Sequence, residues 1–202
     1  MSCDCQVETT NQAQRGVLMT LLAINGAMFV IEIAVGFFAQ SSGVIADSLD
    51  MLADALVYSV GLYAIGKAAA IKRRAARWAG IFQLVLATSI VIDVARRAIF
   101  GSEPHSSSMM IIASVALVAN AYCLWLLQTH REGEVHMRAS WIFSRSDVIA
   151  NLGVILAGLL VHLTDSRWPD LIVGAVIALV VIRGGLEILA EANRAEIVCP
   201  GP

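Results

Sequence analysis

The feature that most constrains this chain is a series of apolar runs, each close to the ~20 residues an α-helix needs to cross a bilayer core. Polar breaks fall at 40–43, at a basic stretch over 67–77, and at 101–104, 128–137 and 165–170. They leave six runs at about 16–38, 43–66, 78–100, 109–127, 139–163 and 171–189. The expected fold is therefore an all-α membrane protein, a six-helix transmembrane bundle. Composition agrees: 58% of the 202 residues are hydrophobic, only 15% are charged, and mean hydropathy is +0.75. A soluble domain is nearer half apolar and a quarter charged. The expected organisation is an N-terminal tail (1–15), a six-span transmembrane domain (16–190) and a short tail (191–202), with no room for a separate soluble domain.

Charge sets the expected orientation. The link between runs two and three carries Lys67, Lys72, Arg73, Arg74 and Arg77, and the link between runs four and five adds Arg131 and Arg138. The break between runs one and two has no basic residue and that between five and six has only Arg167, although Arg96 and Arg97 near the end of run three are a mild counter-signal. The positive-inside rule then puts the basic links and both termini in the cytoplasm. The polar N-terminus lacks the basic start of a signal peptide, so the first run is expected to be a retained helix. A net charge of −2 offers no reason to expect a nucleic-acid partner.

Run two breaks the apolar pattern. Asp47, Asp50 and Asp54 fall within eight residues at spacing i, i+3, i+7, which is one face of a helix. Each ionised carboxylate at membrane depth costs ~2.5–3.5 kcal/mol even on the lenient insertion scale, and three together repel one another. Leucine would serve structure better. A bound cation removes both penalties; the competing readings are pairing with buried arginines or protonation. Asp47, nearer the membrane surface, could instead cap or pair. Run five carries Asp147 and Asn151 at i, i+4, again on one face. Counting ~1.5 Å per residue along both helices places Asp54 and Asn151 near the midplane, Asp50 roughly 7 Å to the outside and Asp147 roughly 5 Å to the inside. Asp50, Asp54, Asp147 and Asn151 are the expected metal ligands. Interhelical hydrogen bonding is the competing role for Asn151, and Arg145 is expected to snorkel to the surface rather than neutralise Asp147.

These residues resemble the cation diffusion facilitator family of metal-ion/proton antiporters. The likeness rests on Ala46-Asp47-Ser48-Leu49-Asp50-Met51-Leu52-Ala53-Asp54 in run two and on Ser146-Asp147 through Gly153-Val154 in run five. Asn25, Phe29, Glu32 and Gly36 in run one fit as well. The resemblance implies a divalent metal exporter of six spans, with zinc first and cadmium and cobalt close behind. It also implies exchange for protons, a homodimer, no enzymatic activity and no cofactor, the metal being cargo. It implies a multi-pass protein of the bacterial inner (plasma) membrane. Two departures stand out. Phe143 occupies the position, four before Asp147, where the family has His or Asp, which leaves Asn151, Ser144, backbone or water as the fourth ligand. The chain also looks like a short branch without the family's C-terminal cytoplasmic domain, and His130 and His136 are a poor substitute for the His-rich loop of zinc members. An all-oxygen site suits harder ions such as manganese, so manganese or iron remains an alternative cargo.

Rival classes are a metal-dependent phosphotransferase, an intramembrane aspartyl protease and a non-transporting metal sensor. The CDP-alcohol type of phosphotransferase wants Gly after its second aspartate, where Met51 follows Asp50, and Asp147 lacks the protease's Gly-x-Gly-Asp setting. Elsewhere, Asp93 with Arg97 and Arg183 with Glu187 are spaced for ion pairs, and Glu32 is a candidate second proton group. Asn25 and Asn120 are expected to bond between helices, and Gly61, Gly66, Gly153, Gly158, Gly174, Gly184 and Gly185 to allow close helix approach. Cys3, Cys5 and Cys199 are soft donors that could gather metal or simply reduced thiols.

Overall fold

The computed structural model describes residues 2–64, 69–128 and 135–198. Lys67, Gly66, His130, Arg131 and Cys199 lie outside them, as do the side chains of Cys3, Cys5, Lys72, Arg73, His136, Arg138 and Phe143. The chain is all-helical over the described residues: α1 (Ser2–Phe38), α2 (Ser42–Ala64), α3 (Ala69–Phe100), α4 (Ser106–Gln128), α5 (Val135–Thr164) and α6 (Trp168–Val198). Helical backbone extends past the expected run boundaries, through most of 1–15 in α1 and to Val198 in α6.

Among the described residues five stretches are long and apolar enough to cross a membrane: Arg15–Phe38, Arg74–Phe100, Ser106–Gln128, Ser144–Thr164 and Trp168–Ala190. The molecule is a multi-pass membrane protein, and its surface has the matching polarity: Phe38, Ile92, Val118, Trp125 and Leu163 are exposed, while aspartates are buried. The exception is α2. Its 23 residues are long enough, but Asp47, Asp50 and Asp54 spoil its apolarity. Burial resolves this: α2 packs against all five other helices, and residues 41–48 are all buried. A helix set among five others in this way has little need of a lipid-compatible surface.

Three short turns join the helices at one end of the bundle, and each begins where a left-handed residue ends a helix. These are Gln40 (φ 52°), Gly101 (φ 93°) and Asp165 (φ 49°). The geometry satisfies the orphan carbonyls of the helix end; Ser41 N–H, for instance, donates to Gly36 O at 3.1 Å. The turns also bond to one another, His105 N–H to Ala39 O at 2.9 Å and an Arg167 guanidinium nitrogen to Ala98 O at 3.3 Å.

At this short-turn end Asp170 of α6 caps α2. It accepts hydrogen bonds from the backbone N–H of Ser42 (2.7 Å) and Gly43 (2.9 Å) and from the Ser41 hydroxyl (2.5 Å). These N–H groups belong to the first turn of α2, which lacks intrahelical acceptors. Gly174, one turn along α6, makes room: a Cβ there would come within 3.1 Å of the Ser42 backbone. Gly158 and Gly185 also sit at close helix contacts, whereas Gly61 and Gly153 have ordinary clearance.

Candidate metal site

Asp54 projects from the middle of α2 toward α5. Tyr58, one turn on, donates its hydroxyl to Asp54 Oδ2 at 3.1 Å and lies 3.4 Å from the Ser144 hydroxyl of α5. The Asp54 and Asp147 carboxyls face each other within hydrogen-bonding reach. These contacts fix an antiparallel register, with Tyr58 beside Ser144 and Asp54 beside Asp147. One further turn in that register brings Asp50 level with Asn151. The depth count from sequence placed Asp54 level with Asn151 instead. It erred by one turn because each helix was measured from an assumed boundary rather than from a contact between the two.

The four expected ligands are all buried: Asp50, Asp54, Asp147 and Asn151. Asn151 donates its amide to the Asp147 carbonyl at 2.7 Å, which leaves Oδ1 free. Neither Asn151 Oδ1 nor Asp147 Oδ2 receives a hydrogen bond, although both are buried. Buried acceptors without donors are rare in native proteins, and such oxygens suit a cation. Arg145 is exposed while Asp147 is buried. Among the described residues no three acidic, histidine or cysteine side chains lie close enough together to hold a metal ion as they stand. Asp54 and Asp147 meet as a pair, with Asp50 and Asn151 one turn away.

A second carboxyl pair lies nearer the short-turn end. Glu32 of α1 is fully buried, and the polar group facing it is the Asp47 carboxyl of α2, within hydrogen-bonding reach. No donor reaches either Glu32 oxygen. Cys123 of α4 is buried beside Tyr58 and Leu127. Asn25 and Asn120 do not bond as expected. Asn25 donates to Leu21 O of its own helix at 2.9 Å with Oδ1 left unpaired, and the Asn120 amide nitrogen has no partner. A short amide in a helix reaches the carbonyl four residues back more readily than a neighbouring helix.

The expected Asp93–Arg97 pair is present, at 2.7 Å, with Arg96 on the other oxygen at 2.9 Å. The Ser42 hydroxyl joins it at 3.1 Å. Arg183 and Glu187 are both exposed and do not pair with each other; an exposed pair gains little from holding two long side chains together. The sequence reading missed Tyr58 and Asp170. Tyr58 had a signal, its i+4 spacing from Asp54. Asp170 had none, since a cap on another helix leaves no mark on local sequence. An open depression of about 570 Å³ at the short-turn end, lined by His105, Asp165 and Arg167 among others, contains none of these carboxylates.

The model of the cation efflux transmembrane domain matches residues 18–195. The chain belongs to the cation efflux family. It is 22% identical over 193 residues to the metal cation efflux system protein CzcD of Cupriavidus metallidurans, covering 86% of this chain and 61% of the relative. It is 24% identical over 192 residues to the cadmium, cobalt and zinc/H(+)-K(+) antiporter of Bacillus subtilis (87% and 61%). It is 24% identical over 195 residues to the zinc transporter ZitB of Escherichia coli (90% and 62%). This cation efflux chain thus spans about three-fifths of the length of the curated relatives it matches.

Proposed function

We propose that this protein exports a divalent metal ion, zinc before cadmium and cobalt, across a bacterial plasma membrane in exchange for protons. The observation that carries the reading is the set of buried acceptor oxygens at the α2–α5 contact with too few donors to satisfy them. Asp50, Asp54 and Asp147 supply the charge that a divalent cation neutralises, and Asn151 Oδ1 is the fourth donor. To converge on one ion, the two levels of the site must close by about one turn. The choice of zinc rests on what the relatives are named for. The protein is no enzyme in this reading and needs no cofactor.

Carboxylates bind metal in their deprotonated form, so loading the site displaces protons. That exchange couples export to proton entry. Rocking of helices about a central site exposes it to each side in turn. The basic links and both termini face the cytoplasm, which makes the short-turn end external. The tails, 1–15 and 191–202, flank the six-span domain on that side, and two copies form the working dimer. The test is flux in proteoliposomes with an imposed pH gradient, using zinc, cadmium, cobalt, manganese and iron(II). Zinc uptake driven by the gradient, with luminal protons released, is expected. Metal flux that persists in the Asp54→Ala, Asp147→Ala double variant would sink the site, and flux indifferent to the gradient would sink the exchange.

A further inference from the structure

Glu32 and Asp47 have no place in the metal site just described. Asp47 lies one turn from Asp50 toward the short-turn end, and its partner comes from a different helix, α1. Both carboxyls are buried, and neither Glu32 oxygen has a donor. The two helices are closely packed beside this pair. One turn farther out Gly36 packs on α2 so closely that a Cβ there would come within 2.8 Å of Ile45.

The surroundings narrow the occupant. Glu32 is the only charged residue of α1 between Arg15 and Phe38, and α4, the other helix packed on α1, carries no charged residue over Ser106–Gln128. On α2 the charged groups are Asp47, Asp50 and Asp54; α5 adds Asp147 beside Asp54, and its Arg145 is exposed. On α3 and α6, Arg97 and Asp170 are already engaged at the short-turn end, Arg97 with Asp93 and Asp170 with the start of α2. Among the described residues no cation serves Glu32. Without a cation nearby, two ionised carboxylates cannot share such a space. A divalent metal needs four or more donors, and no third acidic, histidine or cysteine ligand converges on the pair among the described residues. One proton suffices: it turns the repulsion into an O–H···O⁻ hydrogen bond, a short and strong kind.

We infer that Glu32 and Asp47 form a dedicated proton-binding site, separate from the metal ligands and positioned to give up its proton when metal arrives one turn away. The inference rests on the transport reading only for that last step. The charges balance simply. The empty site holds one proton between two carboxylates; a divalent cation at Asp50, Asp54 and Asp147 makes its neighbourhood more positive, and the proton leaves to solvent. The bond broken is the O–H of the pair, with no change of oxidation state.

Two measurements on the purified full chain in lipid nanodiscs test it. In metal-free protein, the infrared C=O band of a protonated carboxylic acid should weaken in Glu32→Gln and should keep a component assignable to the pair in Asp54→Asn. A band unchanged by Glu32→Gln overturns the inference whatever the fate of the metal site. Calorimetric titration with zinc chloride in two buffers of different ionisation enthalpy then counts protons released. Glu32→Gln should bind as many metal ions per chain as the unaltered protein while releasing about one proton fewer for each. An unchanged proton count overturns the inference, and so does the loss of a bound metal ion, which would make the pair a ligand. If Glu32→Gln fails to fold, Asp47→Asn carries the same expectations. Failure of the metal-site reading looks different: Asp54→Asn would then leave zinc binding intact.

Discussion

Two groups of carboxylates, buried or half-buried, lie in this bundle, and they live under opposite conditions. At the short-turn end, Asp170 accepts three hydrogen bonds from the start of α2, and Asp93 is held by Arg96, Arg97 and the Ser42 hydroxyl. In the middle, Asp54 has the Tyr58 hydroxyl, while Asp147 Oδ2 and both Glu32 oxygens have no donor at all. Asp170 is as deeply buried as the carboxylates in the middle, so burial alone does not mark function. Donor supply separates them. A carboxylate surrounded by donors is a structural fastener. One surrounded by other acceptors is incomplete without a cation or a proton.

The comparison is open to attack at both ends. The largest effect is expected at the unsatisfied group. Asp54→Asn or Asp147→Asn should reduce vesicle metal flux to background while leaving resistance to denaturation in detergent unchanged or improved, because each removes like-charge repulsion. A large loss of stability there would erase the distinction. The mirror experiment is Asp170→Ala. Hydrogen bonds to a charged group contribute ~1.5–3 kcal/mol each, so losing three and orphaning two N–H groups should cost upwards of about 3 kcal/mol. Folded yield and midpoint of unfolding report it. Tyr58→Phe should be milder: removing the hydroxyl that orients Asp54 should weaken metal binding by about ten-fold, the low end for a group behind a ligand, with little change in fold. Arg183→Ala, on an exposed residue, should stay within about 0.5 kcal/mol of the parent and move flux not at all.

How much of this was legible in advance follows from the same division. Six helices were readable because apolar runs of membrane-spanning length are local facts. The shared face of Asp47, Asp50 and Asp54 was readable because i, i+3, i+7 spacing is local as well. What crosses between helices was not. The pairing of Asp54 with Asp147 depends on a register that only contacts such as Tyr58 to Ser144 establish. Asn25 and Asn120 carry nothing in sequence to say whether their amides turn inward or along their own helix. The capping role of Asp170 joins residues more than a hundred apart in the chain. Glu32 stands out in sequence by its depth, but its partner does not, since Asp47 shares the α2 face with Asp50 and Asp54.

The Asp170 cap also has a mechanical side. It pins α2 at its first turn, so α2 hangs from α6 like a rod from a pivot. Asp54 lies twelve residues below Ser42, a lever of roughly 18 Å at 1.5 Å per residue. A swing of only about 5° on that arm displaces the Asp54 carboxylate by roughly 1.5 Å. Metal–oxygen bonds tolerate deviations of ~0.2 Å. A tilt too small to disturb the packing of helices is therefore enough to make or release a metal ligand.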